Sequence, residues 1–476
     1  MSFRLAEALK DGIRIKKVTV TENSPTYFQR YVWRNYRFVS GVTFWLRRRF
    51  TWGGILLLAG MVATSALGAD TNLTPAHQAF SVLAVLFVVG VLGSRFSRFP
   101  AGARRELPRY GTAGQPLHYK VVVVNPTRHV QRGLTVLEKL ADPRPTLAEF
   151  ATAREPGEEK RNWVDRRYAR YRWNWLVTRH VRARAEERAA PDLAPRSETE
   201  MPMEIIPTRR GVLRFEAVTV ACPDPFGIFR ALVDVPRPES VLILPRRYVL
   251  PSLVLPGTPR YQPGGVALAS SIGESEEFVS LREYRPGDPM RHIHWRSWAK
   301  TGKPIVKEFQ DEFFVRHALV LDTFASAEQL DDFEEAVSVA ASFACTLQTQ
   351  ESLLDLLFVG PQAFCFTAGR GIAHREQILE VLAAVNARHD PKFAELTRLV
   401  VEHLPTVTGC ICILLGWDEP RREFVRQLRK HDAAVMVFVI VPAGAPTTLD
   451  RGPMADQPGS FHVLETGKVE DALRKA

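Results

Sequence analysis

Two long apolar runs near the amino terminus constrain this chain more than any other feature. Residues 51–69, TWGGILLLAGMVATSALGA, carry no charge, and residues 79–94, AFSVLAVLFVVGVLGS, form a second run. A helix needs about 20 apolar residues to cross a bilayer core of roughly 30 Å, a length that the second run reaches if residues 75–78 begin the helix. We predict a two-helix transmembrane hairpin over residues 50–95; a buried helical hairpin of a soluble protein is the alternative.

Positive charges flank this hairpin. Three arginines precede the first run and four follow the second, whereas residues 70–78 between the runs carry neither lysine nor arginine. The positive-inside rule then places both termini in the cytoplasm. Residues 1–49 form a basic cytoplasmic segment whose aromatic and basic residues suit a membrane interface. Much of the net charge of +11 is therefore explained by topology and lipid contact rather than by affinity for nucleic acid.

The residues after the hairpin predict a β-domain. Valine-rich alternation in residues 117–127, and strand-like segments broken by RRG and DPFG turns, indicate a β-sandwich-like domain over residues 106–245. Its Arg-rich insert, residues 157–190, has aromatic residues at helical and at strand-like spacing, and we favour a helical insert. Residues 246–275 are rich in proline and glycine and predict an extended linker.

Residues 313–476 predict an α/β domain. Near-continuous apolar strands such as HALVLDTF and GCICILLGW alternate with helices such as EPRREFVRQLRKH. This alternation is typical of a doubly wound, mostly parallel sheet, in which function lies at the carboxyl ends of the strands. The fold class is thus a multi-domain membrane protein with two transmembrane helices, a β-sandwich-like domain and a carboxyl-terminal α/β domain. Five cysteines, mostly in apolar runs, fit a reduced cytoplasmic body.

The order of these segments resembles a known bacterial family. RRGVLRF and DPFGIF in the β-domain, and REYRPGDPMRHIHWRSWAKTGKPIVKEF within residues 276–312, are similar to motifs of the domain of unknown function 58 family. Residues 276–312 are termed the signature block. The resemblance implies a multi-pass protein of the bacterial inner membrane with a von Willebrand factor A-like carboxyl domain. It also implies partnership with MoxR-type AAA+ ATPases, and no agreed catalytic reaction.

The resemblance further implies a divalent-cation site in degenerate form. In such A-like domains, a D-x-S-x-S loop and a later threonine and aspartate commonly hold Mg²⁺ or another divalent ion through hard oxygen ligands. The matching residues here are Asp322, Ser326 and Asp418. Phe324 replaces the first serine of the loop, and Thr367 is poorly placed for the threonine. The alternative is an Asp418 that caps the next helix.

The signature block is predicted to be a structural clasp between the two domains, with packed tryptophans. Asp288 is a candidate N-cap for a helix to about residue 300, with Gly302 as its left-handed stop. The tryptophans would pack against the first strand or the β-domain. The predicted clasp residues are Asp288, Arg291, His294, Trp295, Arg296, Trp298 and Lys300.

Three other interpretations of the block stay open. Basic residues interleaved with aromatic ones are typical of a nucleic-acid surface. His292 and His294 suggest a metal site, although residues two apart do not share a helix face. Ser297 beside His294 suggests a catalytic pair, although no third member follows from the sequence.

Two functions from different classes follow. We predict a membrane-anchored, non-enzymatic adaptor or scaffold whose A-like domain mediates protein–protein interaction, in complex assembly or envelope maintenance. Its expected partners are the lipid bilayer and, by resemblance, a MoxR-type AAA+ ATPase, whereas nucleic acid is not expected. The alternative is an envelope-associated hydrolase or transferase that uses residues 283–309. The sequence contains no P-loop and no GxGxxG fingerprint.

Overall fold

The chain divides into two compact units, Met1–Phe87 with Asp142–His180, and Val88–Ala141 with Val181–Ala476. A computed structural model describes residues 25–67, 74–224, 226–251, 278–286, 288, 290, 293–309, 316–347, 353–368, 372–390, 392–431 and 433–474. About half of the predicted basic segment 1–49 and most of the predicted linker 246–275 therefore lie outside the described residues.

The first unit is helical. Its helices are α1 Tyr27–Arg49, α2 Trp52–Leu67, α3 Thr74–Phe96 (of which the residues after Phe87 belong to the second unit), α4 Leu147–Thr152, α5 Trp163–Tyr168 and α6 Arg170–His180. The side chains of Phe28, Val32 and Tyr36, spaced four apart on α1, pack with Phe150 and Trp173 in one small core. The Arg-rich insert is thus helical over α5 and α6, whereas its residues 183–185 and 188–189 form strands, so the predicted helical insert over 157–190 is only partly confirmed. Tyr168 and Trp173 of the insert pack against α1.

One described helix, Pro75–Phe96, is long and apolar enough to cross a membrane by length and composition. Helix α3 begins at Thr74, so it includes residues 75–78, which the predicted second span required. Helix α2 has 16 residues, or about 24 Å at 1.5 Å per residue. The structure therefore supports one membrane-crossing helix, whereas the other span and the cytoplasmic position of both termini stay predictions.

The second unit contains a β-sandwich. Its strands are β1 Gly102–Glu106, β2 Tyr110–Thr112, β3 Leu117–Asn125, β4 Thr135–Leu140, β5 Ala183–Ala185, β6 Arg188–Ala189, β7 Ser197–Pro207, β8 Gly211–Pro223 and β9 Arg230–Leu244. They form two sheets, β1-β3-β7-β5 and β2-β9-β8-β4-β6. Alternate residues such as Val121 and Val123 on β3, and Val218 and Val220 on β8, meet in the core between the sheets.

A buried ion pair lies inside this sandwich. Arg105 Nη2 donates to Glu138 at 2.7 Å, and both side chains are 0 % exposed. The hydroxyl of Tyr119 donates to the same carboxylate at 3.0 Å. Buried charges require such pairing and hydrogen bonding. Arg105, one of the four arginines that follow the second apolar run, is therefore neutralised inside the β-domain and is not available to the membrane surface.

The elements of the described part of the signature block precede the α/β domain. The block contains β10 Phe278–Glu283, α7 Trp295–Thr301 and β11 Ile305–Phe309. The α/β domain contains β12 Arg316–Leu321, α8 Leu330–Leu347, β13 Leu353–Val359, β14 Ala363–Ala368, α9 Ile372–Ala384, α10 Ala394–His403, β15 Gly409–Leu415, α11 Glu419–Lys430, β16 Ala434–Val441, β17 Phe461–Glu465 and α12 Val469–Leu473.

The sheet of the α/β domain is doubly wound. Its order is β14-β13-β12-β15-β16-β17, and β14 is antiparallel to β13 while the other neighbours are parallel. Leu319 and Leu321 share a core with α8 and α9, whereas Ala318 and Val320 share the other core with α10 and α11. The helix predicted from EPRREFVRQLRKH is present as α11, whereas α10, α12 and β17 had no counterpart in the sequence prediction.

A buried histidine in β12 should make stability depend on pH. His317 is 3 % exposed, and its Nδ1 has no hydrogen-bond partner among the described residues. Burial lowers the pKa of His317 to about 4 from 6.5. Because the folded state favours the neutral ring, stability is full above the unfolded pKa and is lost as pH falls toward the folded one. We expect a loss of about 2–3 kcal/mol from pH 6.5 to 4.

Urea unfolding of the detergent-solubilised chain at several pH values measures this loss. The variant H317L should flatten the dependence, since no group at this position then titrates. The matched control is H118L, because His118 is exposed on β3. A slope that persists in H317L would contradict the assignment.

Candidate functional site

Asp322 lies at the carboxyl end of β12, in the middle of the sheet. Its backbone N–H donates to the carbonyl of Ile413 on β15 at 2.9 Å, and the residue is 0 % exposed. Its Oδ1 accepts from the N–H of Phe324 at 2.9 Å, and its Oδ2 accepts from the N–H of Leu415 at 3.0 Å. Backbone donors from two strand ends therefore hold this carboxylate in place.

A guanidinium group lies beside this carboxylate. Arg421, which is 8 % exposed, donates from Nε to Asp322 Oδ2 at 2.7 Å and from Nη1 to Asp418 Oδ2 at 2.7 Å. Its Nη2 donates to the carbonyl of Phe324 at 2.9 Å. We term Asp322, Asp418 and Arg421 the strand-end triad. Burial raises the pKa of Asp322 above its ordinary value, although Arg421 and two backbone N–H groups act in the opposite direction.

The strand-end triad does not fit a divalent cation. Mg²⁺ and Ca²⁺ require six or more oxygen ligands, whereas both carboxylates here bind Arg421. Among the residues that the structure describes, no group of three or more His, Cys, Asp or Glu side chains could hold a metal ion. The guanidinium group thus supplies the positive charge that the implied cation would have supplied, and it does so from within the chain.

The other residues implied for the cation site have hydrogen-bond partners within the chain. Ser326 is exposed, and its N–H donates to Gln329 Oε1 at 3.1 Å. Thr367 accepts from Arg316, the first residue of β12, at 3.4 Å, so it lies at the opposite end of that strand from Asp322. Asp418 is the N-cap of α11 and accepts from the N–H of residue 421 at 3.3 Å, as the capping alternative predicted.

Arg421 was missed as a site residue although the sequence contains a signal for it. The buried residues of α11 are Arg421, Phe424, Val425 and Leu428, at spacing i, i+3, i+4 and i+7. An arginine inside an apolar stripe requires a buried carboxylate partner. Asp322, which follows β12, the neighbour of β15 in the sheet, is such a partner. The resemblance to a cation-binding loop implied that Asp322 binds a metal ion, whereas its counter-ion is Arg421.

In its described residues, the signature block forms a strand hairpin and the short helix α7. Strands β10 and β11 pair antiparallel, and Lys303 Nζ donates to Glu283 at 3.0 Å within the block. Helix α7 ends at Gly302, which has φ +71° and whose N–H donates to the carbonyl of Trp298 at 2.9 Å. The predicted left-handed stop at Gly302 is confirmed. The predicted start of the helix at Asp288 is wrong, because α7 begins at Trp295.

Asp288 closes a turn through Arg282 and the backbone of Arg285. Its two carboxylate oxygens accept from Arg282 at 2.7 Å and 2.7 Å, and one also accepts from the N–H of Arg285 at 2.8 Å. The hydrogen bonds from Arg282 are the main reason that the pKa of Asp288 falls to about 2. Residues 293 and 294 pair with β11, and this extended pairing delays the start of the helix.

The tryptophans of the block contact each other. The ring centroids of Trp295 and Trp298 are 5.2 Å apart, with 20° between the planes. Trp295 is 62 % exposed, so its predicted packing against the first strand or the β-domain does not hold. Arg296 and Lys300 are exposed as well, and Arg291 lies outside the described residues. A clasp function for the block therefore stays a prediction.

His294 and Ser297 form a hydrogen-bonded pair, with 2.7 Å between Nδ1 and Oγ. A serine nucleophile requires a base that is oriented by a third group. No carboxylate in the described part of the chain binds the second ring nitrogen of His294. His294 is also the N-cap of α7, and its carbonyl accepts from the N–H of Ser297 at 3.0 Å. The pair is therefore part of the start of a short helix.

The contacts that join the β-sandwich to the α/β domain involve the RRG turn before β8. Arg210 Nε donates to the carbonyl of Leu382 at 3.1 Å, and its Nη2 donates to that of Val385 at 2.7 Å. Its Nη1 binds Glu334, and the guanidinium lies 5.1 Å from the ring centroid of Phe333. Both carbonyls lie at the carboxyl end of α9, so an arginine of one domain caps a helix of the other.

Two tyrosines reinforce this joint. The hydroxyl of Tyr110 binds Glu380 on α9. The N–H of Tyr248 donates to Ser342 Oγ on α8 at 2.7 Å, and Tyr248 is 8 % exposed. Tyr248, near the start of the predicted linker, is therefore packed against α8, whereas Arg246, Arg247 and Val249 beside it are exposed. All of these contacts fall on the side of the sheet that α8 and α9 cover.

The opposite side of the sheet carries a groove between α10 and α11. Its volume is about 450 Å³. Phe393 and Phe424, which are 7 % and 1 % exposed, lie at its apolar side together with Val401. Its polar lining residues are Thr397, Arg398, Glu402, Glu423 and Gln427. This α10–α11 groove combines an apolar centre with charges of both signs, as protein-binding surfaces do.

Comparisons with known proteins support the resemblance for the central part of the chain. A family model described as "Protein of unknown function DUF58" matches residues 280–406. Over 185 residues the chain is 27 % identical to "Uncharacterized protein YeaD" of Bacillus subtilis (strain 168), across 38 % of this chain and 45 % of that protein. The chain therefore matches less than half of the length of that relative. A resemblance over the remaining residues stays a prediction.

Proposed function

We propose that this protein is a membrane-anchored, non-enzymatic adaptor of the bacterial inner membrane. Its α/β domain, which resembles a von Willebrand factor A domain, would bind a MoxR-type AAA+ ATPase through the α10–α11 groove. The observation that carries the proposal is the strand-end triad: an internal guanidinium occupies the edge of the sheet where doubly wound domains usually bind their ligands. A partner of this domain therefore requires another surface.

The packing of the second unit favours one face for that partner. The β-sandwich is joined to the side of α8 and α9 through Arg210, Tyr110 and Tyr248. Helices α10 and α11 cover the other side of the sheet. Their groove offers an apolar centre for a side chain of the partner and a polar rim that sets its orientation.

The proposed attachment to the membrane is supported by α3, which is long and apolar enough to cross it. The adaptor would hold the ATPase beside the membrane, with both termini in the cytoplasm. Complex assembly or envelope maintenance is the process that we propose it serves.

Filling the groove should weaken binding of the ATPase. In the variant T397W an indole would occupy the space beside Phe393 and Phe424, and we expect binding of a purified MoxR-type ATPase to weaken at least about tenfold. The matched control is Q377W, because Gln377 is exposed on α9 at the other side of the sheet. Biolayer interferometry on the full chain in detergent, with ATP or a non-hydrolysable analogue, measures both affinities.

Two results would count against the proposal. The first is the absence of binding in every nucleotide state. The second is an equal loss of affinity in T397W and Q377W, which would move the interaction to another surface.

A further inference from the structure

The carboxyl half of α1 exposes aromatic side chains next to a basic end. Phe38, Phe44 and Trp45 are 70 %, 58 % and 49 % exposed. The last turn of the helix carries Arg47, Arg48 and Arg49, and the apolar α2 begins three residues later at Trp52. Exposed aromatic residues beside arginines are characteristic of a helix at the interface of a membrane.

A groove of about 600 Å³ lies between this half of α1 and the loop before α4. Its apolar lining is provided by Phe38, Val42 and Trp45, and its basic lining by Arg34, Arg37 and Arg144. We term it the basic groove. It joins a cluster of guanidinium groups to an apolar surface within the first unit.

The loop that carries Arg144 is held against α1. Arg144 Nε donates to both oxygens of Asp142 at 2.8 Å and 2.9 Å. Trp33 Nε1 donates to the carbonyl of Pro145 at 3.1 Å. A Cβ atom on Gly41 would lie 3.2 Å from Nη1 of Arg144, so a glycine at this position gives the guanidinium room. The Arg144 guanidinium is thus oriented before any ligand binds.

The charge of the groove favours an anion. Three arginines and Asp142 leave a net charge of +2. In the described part of the chain, neither the Arg34 nor the Arg37 guanidinium forms a hydrogen bond or an ion pair, and that of Arg37 lies 5.1 Å from the Trp33 ring centroid. Guanidinium groups bind phosphate oxygens in bidentate fashion. The apolar lining beside them requires a ligand whose phosphate is attached to an apolar body.

We propose that the basic groove binds an anionic phospholipid. Its phosphate would lie among Arg34, Arg37 and Arg144, and its acyl chains would run over Phe38, Val42 and Trp45 toward the apolar helices that follow. This inference rests on the proposed attachment to the membrane, but it does not depend on the proposed ATPase partner.

Titration of the detergent-solubilised full chain with phosphatidylglycerol, followed by native mass spectrometry, tests this site. We expect the variant R34Q/R37Q to bind this lipid about thirtyfold more weakly, the effect of two arginines near an anionic phosphate. The matched control is R30Q/R166Q, which removes two charges from exposed positions of the same unit outside the groove, and it should change the affinity less than about twofold.

A second variant tests the groove without altering its charge. G41L places a side chain against Arg144 on a helix that tolerates leucine better than glycine, and it should weaken binding about tenfold. The proposal is overturned if R34Q/R37Q binds as well as R30Q/R166Q, or if phosphatidylcholine binds as tightly as phosphatidylglycerol. Inorganic phosphate that competes as tightly as phosphatidylglycerol would also overturn it, because the acyl chains would then contribute nothing to binding.

Failure of this proposal can be separated from failure of the proposed function. Membrane fractionation of the same variants reports whether the chain is membrane-attached, and ATPase binding is measured at the α10–α11 groove. A chain that stays in the membrane and binds the ATPase but shows no preference for phosphatidylglycerol would refute only the lipid site.

Discussion

Replacing Arg421 with methionine should lower the free energy of unfolding by about 3–5 kcal/mol, the usual effect of removing one partner of a buried ion pair. The variant leaves Asp322, which is 0 % exposed, with two backbone donors and no counter-ion. It also removes the donor that binds Asp418 and the carbonyl of Phe324. Urea unfolding of the full chain in detergent, followed by circular dichroism, measures the loss.

The neighbouring arginine provides the control. Arg422 has a side chain that is 30 % exposed and lies 3.7 Å from Asp450, which is 76 % exposed, so R422M should cost less than about 1 kcal/mol. The double variant D322N/R421M should recover most of the loss, since no buried charge remains. A cost of R421M equal to that of R422M would show that the strand-end triad does not stabilise the domain.

The R421M loss should also depend on pH. Without Arg421, the pKa of the buried Asp322 carboxyl rises further above its ordinary value, because the arginine that lowers it is gone. A group with a raised folded pKa contributes stability below its unfolded pKa, and this stability is lost as pH rises through the folded pKa. The deficit should therefore be smaller at about pH 5 than at about pH 8. A deficit that grows as pH falls would contradict the assigned role of Asp322.

Replacing Arg210 with methionine should weaken the joint between the β-sandwich and the α/β domain by about 3 kcal/mol. Burial lowers the pKa of Arg210 while Glu334 raises it, and the carbonyls of Leu382 and Val385 lose their donor in the variant. Because these carbonyls lie at the end of α9, that helix should fray. Hydrogen–deuterium exchange of peptides from Ile372–Ala384 in the full chain should accelerate while exchange in β8 changes little.

A substitution at the preceding residue, Arg209, separates the effect of the cap on α9 from the effect of losing one positive charge. Arg209 binds Asp331 at 3.3 Å, and that carboxylate is 74 % exposed. R209M should therefore change stability by less than about 1 kcal/mol and leave exchange in α9 as it is. Equal acceleration in R209M and R210M would mean that charge, rather than the cap on α9, holds the domains together.

Much of the α/β domain could be predicted from sequence because its elements have local patterns. The strand Gly409–Leu415 is apolar at every position and fully buried, and α11 carries its apolar residues at helical spacing. Such patterns depend on neighbours within one or two turns. Helix α10 was overlooked although Leu396, Leu399 and Val400 give it a buried stripe of the same kind.

The sites were harder to predict because their partners lie far apart in the chain. Asp322 and Arg421 are separated by 99 residues, Arg210 and Leu382 by 172, and Trp33 and Pro145 by 112. A single sequence does not show which distant residues are in contact. The clasp was therefore predicted in the signature block, whose motif is contiguous in sequence.

Apolar periodicity and the placement of arginines established the elements of the α/β domain, its layered type and the candidate membrane helix, because burial of apolar surface acts on local pattern. Only the tertiary structure showed which cation lies beside Asp322. The same holds for the cap on α9 and for the basic groove on α1. Buried charges and helix ends are satisfied by whichever donors folding brings within hydrogen-bond distance, and in this protein those donors come from distant segments.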